Sequence, residues 1–179
     1  MKKRLTKHEL RKRAKKIKLV LTDNDGVLTD TGIYYSENGE TFRRYSIRDG
    51  MGVMRLRLAG IETAIITGEH SANVRNRAER LKMKFLYLGV THKKKKLEDV
   101  QKETGLSLNE IAFIGDDMND ISIIDALNPH SITAAPMDAM PAVIKLVHYV
   151  CKQRGGYGAF RDFAEFLLNL RGNNPDVDS

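Results

Sequence analysis

Short apolar runs alternate with amphipathic stretches along most of this chain. Residues 17–22 form a β-branched run that stops abruptly at Asp23. Residues 32–47 alternate and carry Asn38-Gly39, a strong hairpin signal. The pattern predicts helices over 50–58, 71–81, 93–104, 118–127 and 157–170. It predicts buried strands over 62–66, 85–88, 111–114 and 131–135. Gly105 closes the helix at 93–104, and Ser107 and Glu110 have the spacing of a capping box on a very short turn. Strands alternating with helices predict an α/β fold: a Rossmann-like parallel sheet flanked by helices, with a β-hairpin flap.

Charge changes how the ends are read. The 179 residues carry a net charge of +7, yet residues 1–18 hold ten Lys/Arg and only Glu9. The remainder holds 20 Lys/Arg against 22 acids, so the body is close to neutral. The expected organisation is a basic N-terminal extension over 1–16, one domain over 17–171 and a polar, frayed tail over 172–179. The extension carries a thin apolar stripe of Leu5, Leu10, Ala14 and Ile17 and no interleaved aromatics. It therefore reads as a solvated helix or a subunit contact rather than a nucleic-acid binder. A single cysteine, Cys151, excludes an internal disulfide framework. No run is long enough for a transmembrane helix and no signal-peptide core follows the basic start, which predicts a cytoplasmic protein without a membrane partner.

In a parallel sheet, ligands gather beyond the carboxyl ends of the strands. The predicted strand ends here deliver Asp23 and Asp25, Thr67, and Asp116, Asp117 and Asp120 to one rim. Carboxylates so crowded repel one another unless a cation neutralises them. Hard oxygen ligands suit Mg²⁺, and the lack of a Cys/His cluster argues against zinc. A carboxylate can attack phosphorus to form an aspartyl phosphate. An acid two residues further along an extended strand end points to the same side. It can protonate the leaving alkoxide and then activate water. Gly26 permits a sharp turn and a close backbone approach to phosphate. Thr67 offers a hydroxyl to a phosphoryl oxygen, and Gly68 would open the following helix toward the anion. A lysine is then wanted to balance the phosphoryl charge, and the run Lys93–Lys96 can supply it.

Four segments appear in a diagnostic order: Asp23-Asn24-Asp25-Gly26-Val27-Leu28-Thr29-Asp30, Ile65-Ile66-Thr67-Gly68, Lys93, and Gly115-Asp116-Asp117-Met118-Asn119-Asp120. They resemble the four motifs of the haloacid dehalogenase superfamily. Ser46-Ile47-Arg48-Asp49-Gly50-Met51-Gly52 and the run from Arg154 to Asp162 extend the resemblance to its small phosphatases of 3-deoxy-2-ketoacid sugar phosphates, which have no cap domain. The resemblance implies Asp23 as nucleophile and metal ligand, and Asp25 as acid/base that binds Mg²⁺ through its carbonyl. Asp116 becomes the third ligand, Thr67 and Lys93 hold the phosphoryl group, and Asp117 and Asp120 orient Lys93 and metal waters. It further implies a homotetramer whose hairpins build a central barrel, with the Gly155-Gly156 segment reaching an adjacent site.

Substrate choice turns on Glu69, Arg77 and Arg80, whose spacing allows them to share a helix side. This pattern resembles phosphatases of the nine-carbon, sialic-acid-type sugars, and an arginine fork suits a sugar-acid carboxylate. The reading leans to a nine-carbon substrate, with eight-carbon 3-deoxy-manno-octulosonate 8-phosphate as the alternative. Bland readings stand beside each motif. An isolated Asp-x-Asp-Gly is usually a turn, Gly-Asp-Asp can be a helix cap, and Arg77 and Arg80 can be a solvated face. The five histidines read as structural or exposed. A non-catalytic oligomerisation module would lose a motif residue, and none is lost. A mutase would need room for a cap between Asp25 and Thr67, and there is little.

Overall fold

The structure, a computed structural model, describes residues 5–172. The first four residues of the extension, and residues 173–179 of the expected tail, lie outside the described residues.

Six strands form one parallel sheet: β1 (Leu19–Thr22), β4 (Glu62–Ile66), β5 (Phe85–Tyr87), β6 (Ile111–Ile114), β7 (Thr133–Ala135) and β8 (Tyr149–Val150), in the order β5-β4-β1-β6-β7-β8. Side chains of a strand alternate between faces, and both faces are buried. Val20, Ile65 and Ile114 join one core cluster; Leu19, Leu21, Ile66 and Phe113 join the other. The first face packs against α2 (Ile47–Leu58), α3 (Ala72–Arg80) and α7 (Ala159–Arg171). The second is covered by α4 (Lys93–Thr104), α5 (Ile121–Leu127) and α6 (Pro141–Ile144). The expected α/β fold is therefore present, with the predicted bounds of β4, β6 and α4 met residue for residue.

Several elements differ in detail. The helix expected over 118–127 is split into a 3₁₀ turn at Met118–Asp120 followed by α5. Asp117 caps that turn, so its backbone enters at an angle set by the side chain. The capping box at Ser107 and Glu110 is present on a single 3₁₀ turn. The sequence reading missed α6 and β8, which are only four and two residues long.

The hairpin consists of β2 (Thr29–Ser36) and β3 (Gly39–Tyr45), paired antiparallel and apart from the main sheet. Ser36 pairs with Gly39 across the turn, where Gly39 adopts φ +102°. It exposes several large apolar side chains: Tyr34 stacks on Phe42 across the pair with ring centroids 4.5 Å apart, and Ile33 and Tyr35 are also exposed.

The N-terminal extension is docked, not solvated. Helix α1 (Lys7–Ala14) starts from a complete capping box of Thr6 and Glu9. Its apolar stripe is used: Ala14 and Ile17 are fully buried and Leu10 packs on the core. Arg13 Nη1 donates to the carbonyls of Asn128 (2.7 Å) and Ser131 (2.6 Å), and its Nη2 to that of Pro129 (3.0 Å), at the end of α5. From α7, Arg171 Nη1 donates to the carbonyls of Ala14, Lys15 and Ile17 at 2.9–3.2 Å. Lys7, Arg11, Lys12, Lys15 and Lys16 remain exposed. Among the described residues, no helix is long and apolar enough to cross a membrane.

Candidate active site

Strands β1, β4 and β6 are neighbours, so their carboxyl ends bring Asp23, Thr67 and Asp116 together. The Asp23 amide donates to the Ile114 carbonyl at 2.9 Å, which ties the end of β1 to β6. The chain then folds tightly: the amides of Leu28 and Thr29 both donate to the Asn24 carbonyl, and Gly26 sits at φ +83°. A Cβ on Gly26 would lie 1.9 Å from Asp116 Oδ2. Glycine there makes room for the Asp116 carboxylate.

Of the four consecutive lysines, Lys93 is the one buried at the rim. Lys93 is the first residue of α4 and almost completely buried, with Nζ 2.8 Å from Asp23 Oδ2 and 2.6 Å from Asp120 Oδ1. Asp120 Oδ2 in turn accepts from the amides of Asp116 (2.9 Å) and Asp117 (3.4 Å). Asp120 therefore orients Lys93, as expected. Asp117 does not: it is exposed, and its Oδ1 accepts from the Met118 amide at 2.6 Å.

One ammonium faces three carboxylates in this cluster. Burial, reinforced by the charges of Asp23 and Asp120, pushes Asp116 up to about 8. Burial and the Asp120 charge likewise push Asp23 upward, against the pull of Lys93. Burial would lower Lys93, but the Asp23 and Asp120 charges outweigh it and hold the ammonium charged. Asp116 Oδ1 is buried with no hydrogen-bond partner, a costly state that a bound cation removes. Carboxylate oxygens of Asp23, Asp116 and Asp120 lie within 4.8 Å of one another. Asp23 Oδ1 accepts from the Asn24 amide at 2.7 Å and its Oδ2 faces Lys93, but Asp23 and Asp116 line the cleft whereas Asp120 is fully buried behind them, so Asp23 and Asp116 are the side chains that could hold a metal. The all-oxygen donor set suits Mg²⁺.

These residues open into a cleft of about 460 Å³ whose lining includes Asp23, Asp25, Thr67, Gly68, Glu69, Asp116 and Asp117. Thr67 is buried, and its Oγ1 accepts from the Glu69 amide at 3.2 Å. Gly68 lines the cleft but does not open a helix, because α3 begins only at Ala72.

The substrate-selecting trio is not brought together. Glu69 lies before α3, not on it, so no shared helix side exists. Arg77 and Arg80 line a different concavity with Ile47, Met51, Met54 and Arg57. Arg77 Nη2 donates to the Ser46 carbonyl at 2.8 Å, and the guanidinium lies over the Tyr45 ring. The Gly155-Gly156 segment packs against the Asp25 loop of its own chain. The Gly156 amide donates to the Val27 carbonyl at 2.9 Å, and a Cβ on Gly155 would lie 1.9 Å from the Gly26 carbonyl oxygen. Among the two histidines nearest the rim, His70 packs over Gly89 and His92 is exposed.

Sequence reasoning missed Arg43. Its side chain, delivered by β3, is fully buried and pairs with Asp25, Glu40 and Glu69. Nothing in the alternation of β3 marks a buried arginine. Its polar spacing looks like an ordinary exposed strand face.

Comparison with known proteins agrees with this geometry. The fold and site define a phosphatase, and the chain belongs to the haloacid dehalogenase-like hydrolases, whose family model matches residues 89–155. Within that family it is 34% identical over 170 residues to the 3-deoxy-D-manno-octulosonate 8-phosphate phosphatase KdsC of Haemophilus influenzae, covering 95% of this chain and 93% of the relative. The cobalt-bound structure of the Haemophilus influenzae phosphatase superposes with a TM-score of 0.84 at 35% identity, covering 89% of this chain and 92% of that one. The Moraxella catarrhalis phosphatase, solved with a magnesium ion, a phosphate ion and a KDO molecule, gives 0.84 at 32% identity, covering 92% and 93%.

Proposed function

We propose that this protein is a Mg²⁺-dependent phosphatase that releases the terminal phosphate of an eight-carbon 3-deoxy-2-ketoacid sugar, 3-deoxy-D-manno-octulosonate 8-phosphate. The observation that carries the reading is the cluster of Asp23, Asp116 and Lys93 with its one unpartnered, buried carboxylate oxygen. Relatives similar over nearly their whole length are named for this substrate. The lean toward a nine-carbon substrate rested on the resemblance of Glu69, Arg77 and Arg80 to phosphatases of such sugars; of the three only Glu69 lines the cleft, and Arg77 and Arg80 line a separate concavity, so the eight-carbon alternative is the better supported.

Asp23 and Asp116, with the Asp25 carbonyl, would hold the Mg²⁺. When bound, the ion supplies positive charge to the crowded carboxylates and to the phosphoryl oxygens. An Asp23 oxygen attacks phosphorus, and the bond from phosphorus to the sugar oxygen breaks. Asp25 gives its proton to that leaving oxygen. Water then attacks phosphorus of the Asp23 aspartyl phosphate, Asp25 takes its proton, and phosphate leaves with Asp23 restored. Lys93 balances phosphoryl charge from below, Asp120 keeps it in position, and Thr67 donates its hydroxyl to a phosphoryl oxygen. Copies of this chain associate through the exposed Tyr34–Phe42 face of the hairpin, in a homotetramer.

Asp23→Asn keeps the shape and removes the nucleophile. Mg²⁺-dependent phosphate release should fall by at least about 1,000-fold while the thermal melt stays cooperative. Unchanged turnover would sink the mechanism. Side-by-side kcat/KM on the eight- and nine-carbon ketoacid phosphates tests the substrate, and preference for the nine-carbon ester would overturn the assignment.

A further inference from the structure

We propose that Arg43 is a positioning residue for proton transfer: it clamps one oxygen of Asp25 so that the other faces the sugar's leaving oxygen. The inference rests on the reading of Asp25 as the acid/base, and it assigns a catalytic duty to the hairpin.

Three donors converge on Asp25 Oδ1. Asn24 Nδ2 donates at 3.0 Å, Thr29 Oγ1 at 3.3 Å, and Arg43 Nη1 makes a close ion pair. Asp25 also lines the cleft, and its side chain keeps 28% exposure. With Oδ1 enclosed by donors, Oδ2 is the oxygen available to the cleft. The terminal torsion of an aspartate is broad and roughly two-fold, so an unrestrained carboxyl would present either oxygen in many directions. A proton donor must come within about 2.6–3.2 Å of its target in the right direction.

Arg43 is itself held rigidly. Its Nε donates to Glu40 Oε1 at 3.1 Å and its Nη2 to Glu40 Oε2 at 2.9 Å, a bidentate fork. Nη2 also reaches Glu69 Oε2 at 3.3 Å, in the loop after β4. Glu40 Oε1 also accepts from Ser71 Oγ (2.6 Å) and Asn73 Nδ2 (2.8 Å), at the start of α3. One guanidinium thus joins the hairpin, the Asp25 loop, the β4 loop and α3. Its side chain has no exposed surface and is absent from the cleft lining, so it acts on Asp25 and not on a bound sugar.

The step concerned is the first one. As the Asp23 oxygen bonds to phosphorus, the phosphorus–sugar oxygen bond breaks and the proton on Asp25 Oδ2 moves to that oxygen. An alkoxide leaving group needs the proton; p-nitrophenolate, a stable anion, does not. Loss of Arg43 should therefore discriminate between esters, which general damage to the fold would not.

The test measures kcat/KM for the eight-carbon ketoacid phosphate and for p-nitrophenyl phosphate in Arg43→Met, Arg43→Lys, Asp25→Asn and the Asp25→Asn/Arg43→Met pair. General acid catalysis is worth roughly 100- to 10,000-fold, so Arg43→Met should lose about 30-fold on the sugar phosphate and about threefold on the aryl ester. Arg43→Lys, which keeps the charge and supports folding, should recover part of the sugar phosphate rate. Arg43→Met added to Asp25→Asn should cost little more than Asp25→Asn alone. Equal losses on both esters, or fully additive losses in the pair, would overturn the proposal while leaving Asp25 as the acid. If Asp25→Asn fails to discriminate between the esters, the acid assignment falls, and the role of Arg43 with it.

Discussion

Two buried cations, Arg43 and Lys93, each face three carboxylates, and their surroundings behave oppositely. Arg43 meets Asp25, Glu40 and Glu69; Lys93 lies among Asp23, Asp120 and, within the same cluster, Asp116. Around Arg43 the acids are well supplied with donors, and Glu69 keeps about half of its side chain in solvent. The Arg43 fork, helped by Ser71 and Asn73, holds Glu40 down to about 2. Around Lys93 donors are scarce: burial and like charge push Asp116 up to about 8, and one of its oxygens has no partner. Charge count alone does not separate the clusters. Hydrogen-bond supply does. The Arg43 cluster is complete within the chain, whereas the Lys93 cluster is built for a cation from outside.

The comparison breaks first at Asp116. Asp116→Asn removes a proposed metal ligand and one of the three crowded carboxyl groups. Outer-shell partners of metal sites already cost roughly 10- to 100-fold, so loss of this side chain should cost more than about 100-fold in Mg²⁺-dependent turnover. The metal-free variant should melt no lower than the parent above about pH 8, where the parent must carry a buried, unpaired charge at this position. A variant that still answers normally to Mg²⁺ would show that the orphaned oxygen has another purpose.

Next in size is Gly155→Ala. The added methyl would lie 1.9 Å from a backbone oxygen of Gly26, and backbone cannot swing aside as a flexible side chain can. The loop bearing Asp25 must shift, with a stability cost of roughly 1–3 kcal/mol as in other overpacked sites. A shift of about 1 Å in a catalytic group can cost on the order of 100-fold, so turnover should fall further than stability alone explains. Parallel measurement of kcat and urea midpoint separates the two. Wild-type turnover would mean the loop yields without moving Asp25.

The pH dependence of stability should carry opposite slopes for the two clusters. Asp116 is raised from its ordinary 3.8 to about 8 in the folded, metal-free protein. The folded state then binds the extra proton, so stability is highest at low pH and declines as pH rises from about 4 toward 8. Glu40 is lowered from 4.5 to about 2, so its contribution is present above about 4.5 and is lost as pH falls toward 2. Melting temperatures in chelator between pH 5 and 8 should fall with pH. Saturating Mg²⁺ or Asp116→Asn should flatten that slope. A slope unchanged by both would place its origin elsewhere.

The difference between the clusters also explains what the sequence made legible. Asp23, Asp116, Lys93 and Asp120 follow strand ends or open helices, and the topology of a parallel sheet carries such positions to one rim. Their meeting could be read before any coordinates existed. Arg43 could not, because it lies mid-strand in a hairpin outside that sheet, where spacing says nothing about which face a neighbouring loop will cover. Glu69, Arg77 and Arg80 failed for a related reason. Helical spacing was extended back across Gly68, but the chain enters α3 only at Ala72 and sends Arg77 toward Ser46. The docking of the basic extension is not legible either, because residue counts take no account of carbonyls: Arg13 bonds to those at the end of α5, and Arg171 of α7 bonds to those that follow α1.

The smallest effect is expected at Glu40, and it sharpens the contrast most. Glu40→Gln keeps the shape and can still accept from Ser71 and Asn73 at its oxygen. The amide nitrogen, however, would face Arg43 Nη2 across what is now a 2.9 Å bond. One charge-assisted hydrogen bond of the fork is lost, worth roughly 1.5–3 kcal/mol when its partner is charged. Asp25 and Glu69 still neutralise Arg43, so the guanidinium stays in position and the net cost should lie at the low end. That corresponds to a drop of about 3–6 °C in Tm for a domain of this size. Above pH 5 the loss should be constant; below about 4.5 it should shrink, because the unfolded wild-type chain takes up a proton on Glu40 there while the folded protein holds the carboxylate ionised down to about 2. Thermal melts of both proteins from pH 3 to 7 measure this directly. A loss that persists undiminished at pH 3 would mean the Glu40 carboxylate is not what secures Arg43, and that the hairpin is held by its backbone and aromatic face instead.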